Sequence, residues 1–75
     1  MMASMYKFNP CNLRKLIKRT SLSISQIARE ADVQRTSLSK WLNGYMEPSL
    51  RNAVLLADFF NVSVDELIGR KPIQD

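Results

Sequence analysis

Between Ser23 and Gly44 the chain carries the chemistry that starts one helix and, twice, the chemistry that stops one. Ser23 followed by Gln26 is a capping box: the serine hydroxyl accepts from the third helical amide while the glutamine reaches back to the serine amide. Ile27, Ala28 and Ala31 then recur at helical spacing, with small residues where another helix can approach closely. Asp32 suits the left-handed conformation that a short turn needs, and Val33 directs the chain back to a core. A second helix is expected over Arg35 to Leu42, with Gly44 as its stop. Two short helices joined by so tight a turn meet at a sharp angle.

The second helix has two chemically different faces. At about 100° per residue, Leu38, Trp41 and Leu42 cluster on one side. Arg35, Thr36, Ser39, Lys40 and Asn43 gather on the other, with no acidic residue among them. On an isolated amphipathic helix such a face simply meets solvent. In an angled pair it becomes a projecting surface, rich in donors long enough to reach base edges in a major groove.

Around this pair the chain supplies three further helices. Asn9 and Pro10 fit an N-cap and first helical position, opening a helix to about Thr20 with Leu13, Leu16, Ile17 and later Leu22 inward. Arg14, Lys15, Lys18 and Arg19 fall outward, most simply as a solvated face, although one of them near a DNA backbone would add affinity. Tyr45 to Pro48 is a loop ending at Ser49, the expected N-cap of a helix over Leu50 to Phe60. Its inner stripe is expected at Leu50, Ala53, Val54, Ala57 and Phe60, leaving Leu55 and Phe59 on the other side. Ser63 and Glu66 form a second capping box for a short helix through Ile68, ended by Gly69 and Pro72. No stretch alternates as a strand does. The expectation is an all-α fold of five helices: an arm over residues 1–8, a domain over 9–69 and a tail over 70–75.

Charge is distributed unevenly. The net charge is +4, but residues 1–51 hold nine basic side chains against three acidic, a net of +6, and residues 52–75 hold a net of −2. The basic part contains the two-helix unit, as expected of a surface that meets a polyanion. The chain has no histidine and a single cysteine, Cys11. An internal disulfide is therefore excluded, which fits a reducing cytoplasm, and Cys11 reads as a bystander thiol. There is no cysteine pair for a metal and no glycine-rich phosphate loop, and Asp65-Glu66 is better explained by capping than by acid–base work. An enzyme is not expected, nor any cofactor. No apolar run is long enough for a membrane span, and no signal peptide is visible.

Leu22, Ser23, Ile27, Ala28, Val33, Arg35, Leu38, Ser39, Trp41 and the Asn43-Gly44 pair, in that order, resemble the helix-turn-helix of the lambda repressor and Cro family. The similarity continues through Pro48-Ser49-Leu50, Leu56-Ala57 and Val62 to Leu67. The resemblance implies a compact five-helix lambda-repressor-like DNA-binding domain, from a small bacterial or phage transcription regulator, commonly a repressor. It implies that Gln34, Arg35, Thr36, Ser39 and Lys40 read bases. It also implies that Ser23, Ser25, Asn43, Gly44, Tyr45, Ser49 and Arg51 meet phosphates, partly through backbone amides. Tyr45 reads equally well as a surface aromatic. The implied partner is double-stranded DNA with a palindromic operator, bound by a homodimer. The rivals are a protein-interaction module working through Leu55 and Phe59, and an RNA-binding or coactivator protein on the same fold.

Two positions depart from the family. Ile24 stands where many relatives carry a phosphate-clamping glutamine, so that side-chain contact is lost. Ile17 and Leu42 stand where many relatives pair an arginine with a glutamate, which implies an apolar contact in place of an ion pair. A dimer contact is expected at Leu55, Phe59 and Ile68, with Leu56, Leu67 and Ile73 extending the patch. It would be covered by a second subunit, or alternatively by Met5, Tyr6 and Phe8 of the arm.

Overall fold

Most helices in this chain begin or end where a side chain or a left-handed residue satisfies backbone groups that the helix itself leaves loose. The computed structural model describes residues 7–73, in which five helices and no strand are found. They are α1 (Cys11–Lys18), α2 (Ile24–Ala31), α3 (Arg35–Leu42), α4 (Leu50–Phe60) and α5 (Val64–Leu67). Ser23 with Gln26 and Ser63 with Glu66 form complete capping boxes at α2 and α5. Ser49 accepts from the Asn52 amide at the start of α4. Asp32 (φ 63°) and Asn61 (φ 58°) end α2 and α4 in the left-handed region. In both places the next residue's amide returns to the helix, Val33 to the Ala28 carbonyl and Val62 to that of Ala57, each at 2.9 Å. The turns are thus closed by hydrogen bonds rather than left to solvent.

The first helix is shorter than its sequence suggests. It ends at Lys18, where the Thr20 hydroxyl donates to the Ile17 carbonyl at 2.9 Å and competes with another helical turn. At its start Asn9 does act as a cap, its Oδ1 accepting from the Cys11 amide at 2.9 Å, although the helix proper opens one residue after Pro10. The last helix likewise stops at Leu67, one residue short of Ile68.

The core gathers Leu13, Leu16, Ile27, Leu38, Trp41, Leu56 and Leu67 around the alanines of α2 and α4. Ala28 and Ala31 of α2 and Ala53 and Ala57 of α4 are all buried, and the two helices pack together, an approach that small residues permit. Three expectations are corrected here. Leu56 is fully buried, whereas Leu50 is 76% and Val54 39% exposed, so the inner stripe of α4 is Ala53, Leu56, Ala57 and Phe60. Burying Leu50 or Leu56 would each be worth about 1.5–3 kcal/mol, so hydrophobicity alone does not choose between the stripes. Leu56 and Leu67 are therefore core residues and extend no surface patch.

The two ends of the described chain are fastened to each other. Residues 1–6, including Met5 and Tyr6, lie outside the described residues, but Phe8, the last of the expected arm, is buried in the core. The Asn9 amide donates to the Ile68 carbonyl at 3.1 Å. Asn12, buried on α1, donates from its one Nδ2 to the carbonyls of Glu66 and Lys71, both at 2.7 Å. The described part of the expected tail is also tied down: Arg70 and Lys71 flank the Asp65 carboxylate at 3.7 and 3.9 Å, and Ile73 packs on the core. Gly69 sits at φ +91°, where a Cβ would lie 2.7 Å from the Asn9 backbone oxygen.

Candidate nucleic-acid interface

Tight turn chemistry presents α3 to solvent on one side and anchors it on the other. Leu38 and Trp41 are buried and Leu42 is half-buried, while Gln34, Arg35, Thr36, Ser39 and Lys40 are all exposed. These five expected base readers therefore lie together on one short helix and its N-cap. Gln34 holds the N-cap position with no side-chain bond to the helix. Its Oε1 instead accepts, at 3.5 Å, from the hydroxyl of Ser37, a residue that sequence reasoning passed over. The first-turn amides of α3 are thus left to partners outside the helix.

The far end of α3 is held from two directions. The Tyr45 amide returns to the Lys40 carbonyl at 2.9 Å while Gly44 takes φ +74°. Asn43 donates its side-chain amide to the Ser39 carbonyl at 2.9 Å. Arg14, placed by the sequence on the outward face of α1, reaches across and donates from Nε to the Leu42 carbonyl at 2.8 Å. A cation at the carbonyl end of a helix opposes its dipole as well as filling an open acceptor. Ile17 lies one turn further along α1, and both it and Leu42 are half-buried against the same core.

The expected phosphate contacts fall in three exposed groups. Ser23 and Ser25 stand at the start of α2, Asn43, Gly44 and Tyr45 follow α3, and Ser49 and Arg51 open α4. The Ser23 and Ser49 oxygens accept from helical amides, which leaves each hydroxyl proton available to donate outward. Tyr45 is 80% exposed. Arg51 approaches Asp32 at 3.9 Å, with both side chains mostly in solvent, a pair worth at most about 1 kcal/mol and readily exchanged for a stronger anion. Ile24, half-buried at the first position of α2, shares a concavity of about 310 Å³ with Arg35, Thr36 and Ser39.

The expected dimer residues lie on two helices, Leu55 and Phe59 one turn apart on α4, and Ile68 at the end of α5. Leu55, Phe59 and Ile68 are each half-buried within the single chain, and Phe59 sets its ring edge against Phe60 at 4.9 Å. Ile68 lines a groove with Leu50, Ala53 and Val64. At about 100° per residue, Phe59 lies half a turn around α4 from Leu50, on the opposite flank.

An all-helical domain with a short, uncapped, cation-bearing helix set against a tight turn and buried on its back is a helix-turn-helix domain. The Helix-turn-helix family model matches residues 13–67, and the chain belongs to that family in its lambda repressor and Cro form. It is 39% identical over 59 residues to the cryptic phage CTXphi transcriptional repressor RstR of Vibrio cholerae, covering 79% of this chain and 50% of that one. It is 34% identical to the transcriptional activator BcrR of Enterococcus faecalis, covering 76% of this chain and 28% of BcrR. With the transcriptional regulator AnsR of Bacillus subtilis the identity is 32%, covering 79% of this chain and 51% of AnsR. The chain thus spans about half, or less, of the length of these relatives. Among solved structures it is similar to the SOS-response transcriptional repressor LexA from Eubacterium rectale, with TM-score 0.76 and 26% identity over 88% of this chain and 70% of that one. A transcriptional regulator from Listeria innocua gives TM-score 0.71 and 32% identity over 88% of this chain and 60% of that one. Among the described residues no helix is long and apolar enough to cross a membrane.

Proposed function

We propose that this domain binds double-stranded DNA sequence-specifically, with α3 in the major groove, and regulates transcription as a homodimer on a palindromic operator. The observation that carries the reading is the exposed face of Arg35, Thr36, Ser39 and Lys40, free of acidic side chains and backed by a buried Leu38 and Trp41. Such a face offers a guanidinium for the O6 and N7 of a guanine, a hydroxyl for either kind of edge, and an ammonium for a base or phosphate. The helix starts at Ser23 and Ser49 add hydroxyl and amide donors for phosphates. Repression is the proposed output, supported by the similarity to RstR; a regulator of opposite sign, BcrR, shares the same module. The rival reading as a protein-interaction surface at Leu55 and Phe59 has less support, because both side chains are half-buried and Phe59 packs its ring against Phe60.

Selection of binding sites from a random DNA pool tests the reading, followed by a salt series on the selected site. Affinity is expected to fall steeply with salt, because each phosphate contact releases a counterion. Arg35→Ala should weaken the selected site by about 1–3 kcal/mol and relax one base position, whereas Arg51→Ala should weaken all sequences alike. An unchanged site preference in Arg35→Ala would remove α3 from the role of reader.

A further inference from the structure

We infer that Ile24 is a specificity-determining residue that reads the C5-methyl group of a thymine beside the base contacted by Arg35. The inference rests on the DNA-binding reading above and deepens it. Ile24 forms one wall of a concavity of about 310 Å³ whose other walls are Arg35, Thr36 and Ser39, three of the proposed base readers. Three of these four side chains are polar and exposed; Ile24 is the apolar one, half-buried with its base against the core. Its position on the first turn of α2 is held by the Ser23–Gln26 capping box immediately before it. A β-branched side chain so placed has little rotamer freedom left to lose.

The chemistry of the groove then selects the contact. Base edges in the major groove present hydrogen-bonding atoms, with one apolar group among them, the thymine methyl. An isoleucine pressed against a donor or acceptor would strip it of water and return nothing. Against a methyl it removes apolar surface from water on both sides. Because Arg35 lies across the same concavity, which is wide enough to span about two base steps of about 3.4 Å, the thymine falls near the base that Arg35 reads. The replacement of a polar clamp by Ile24 therefore exchanges a contact that is blind to sequence for one that is not.

Replacing each thymine of the selected site by uracil, one at a time, removes the methyl and nothing else. Binding of the wild-type domain is expected to weaken about fourfold at one thymine per half-site, the equivalent of one buried carbon at 1.4 kcal/mol per decade. That sensitivity should persist in Ile24→Val, which keeps the branched apolar wall, and vanish in Ile24→Gln, with thermal unfolding confirming that both variants fold. Uracil tolerated at every position in the wild type overturns the inference while leaving DNA recognition by α3 intact. A uracil effect unchanged in Ile24→Gln but abolished by Thr36→Ser transfers the methyl to Thr36 and overturns it too. A domain that selects no site overturns this inference together with the reading on which it rests.

Discussion

Gly44 and Gly69 both hold positive φ, at 74° and 91°, yet they answer to different constraints. Nothing lies within 4 Å of a Cβ built on Gly44, so its demand is purely conformational. A Cβ on Gly69 would sit 2.7 Å from both the Asn9 Cβ and the Asn9 backbone oxygen. That oxygen belongs to a segment already fastened by the Asn9–Ile68 hydrogen bond and by the two bonds from Asn12, so it has little room to yield. Gly44→Ala is therefore expected to cost about 1–2 kcal/mol, the penalty of one left-handed L-residue. Gly69→Ala should cost clearly more, about 3 kcal/mol or above, because a steric clash adds to the strain. Urea unfolding of the two variants measures both; equal losses would mean that the chain ends are not locked together. A left-handed Gly44 is legible from the helix that precedes it, since the stop signal is local. The lock at Gly69 is not, because its other half, Asn9, lies at the opposite end of the chain.

Most helix ends are legible in this chain, though α1 and α5 stop short of where the sequence places them, and helix faces only sometimes. Ser23, Gln26, Asp32, Ser49, Ser63 and Glu66 act on amides and carbonyls within a few residues, so their roles follow from spacing alone. In α3 the apolar residues keep to one side, and the exposed face is where the period places it. In α4, apolar residues surround the helix, and only packing against α2 and α5 decides that Leu56 goes in and Leu50 stays out. Contacts between elements escape local reading for the same reason, as with Arg14 at the carbonyl end of α3. That bond brings α1 against the last turn of α3 and bears on the pair Ile17 and Leu42. Leu42→Glu places a carboxylate on a half-buried site with the Arg14 guanidinium close by, so the expected loss is about 1–3 kcal/mol, below the roughly 3–5 kcal/mol of a fully buried unpaired charge. Ile17→Arg combined with Leu42→Glu should recover much of it. A double-mutant cycle by urea unfolding checks the contact: strictly additive losses would place the two side chains out of reach of each other.

At the scale of the whole molecule, a domain this small can reach only one half-site, and a two-fold partner is what turns it into a reader of palindromes. The proposed homodimer then needs a self-complementary face away from α3. Leu55 and Phe59, the residues expected there from the sequence, are half-buried, and Phe59 already supports Phe60 and the core. The opposite flank of α4 offers more uncovered surface: Leu50 and Val54 are exposed one turn apart, and Ile68 shares a groove with Leu50. A second copy seated on that flank would remove from water the apolar side chains that a lone chain leaves bare. Val54→Lys and Phe59→Lys separate the two flanks, because a lysine disturbs assembly where the surface is an interface and folding where it is a core margin. Val54→Lys is expected to stay folded, to sediment as a monomer and to bind a full palindrome at least about tenfold more weakly, with half-site binding unchanged. Phe59→Lys should instead lower stability by about 2–4 kcal/mol, through lost burial and lost ring contact. A folded, dimeric Val54→Lys with undiminished affinity for the palindrome would take the two-fold axis away from this flank.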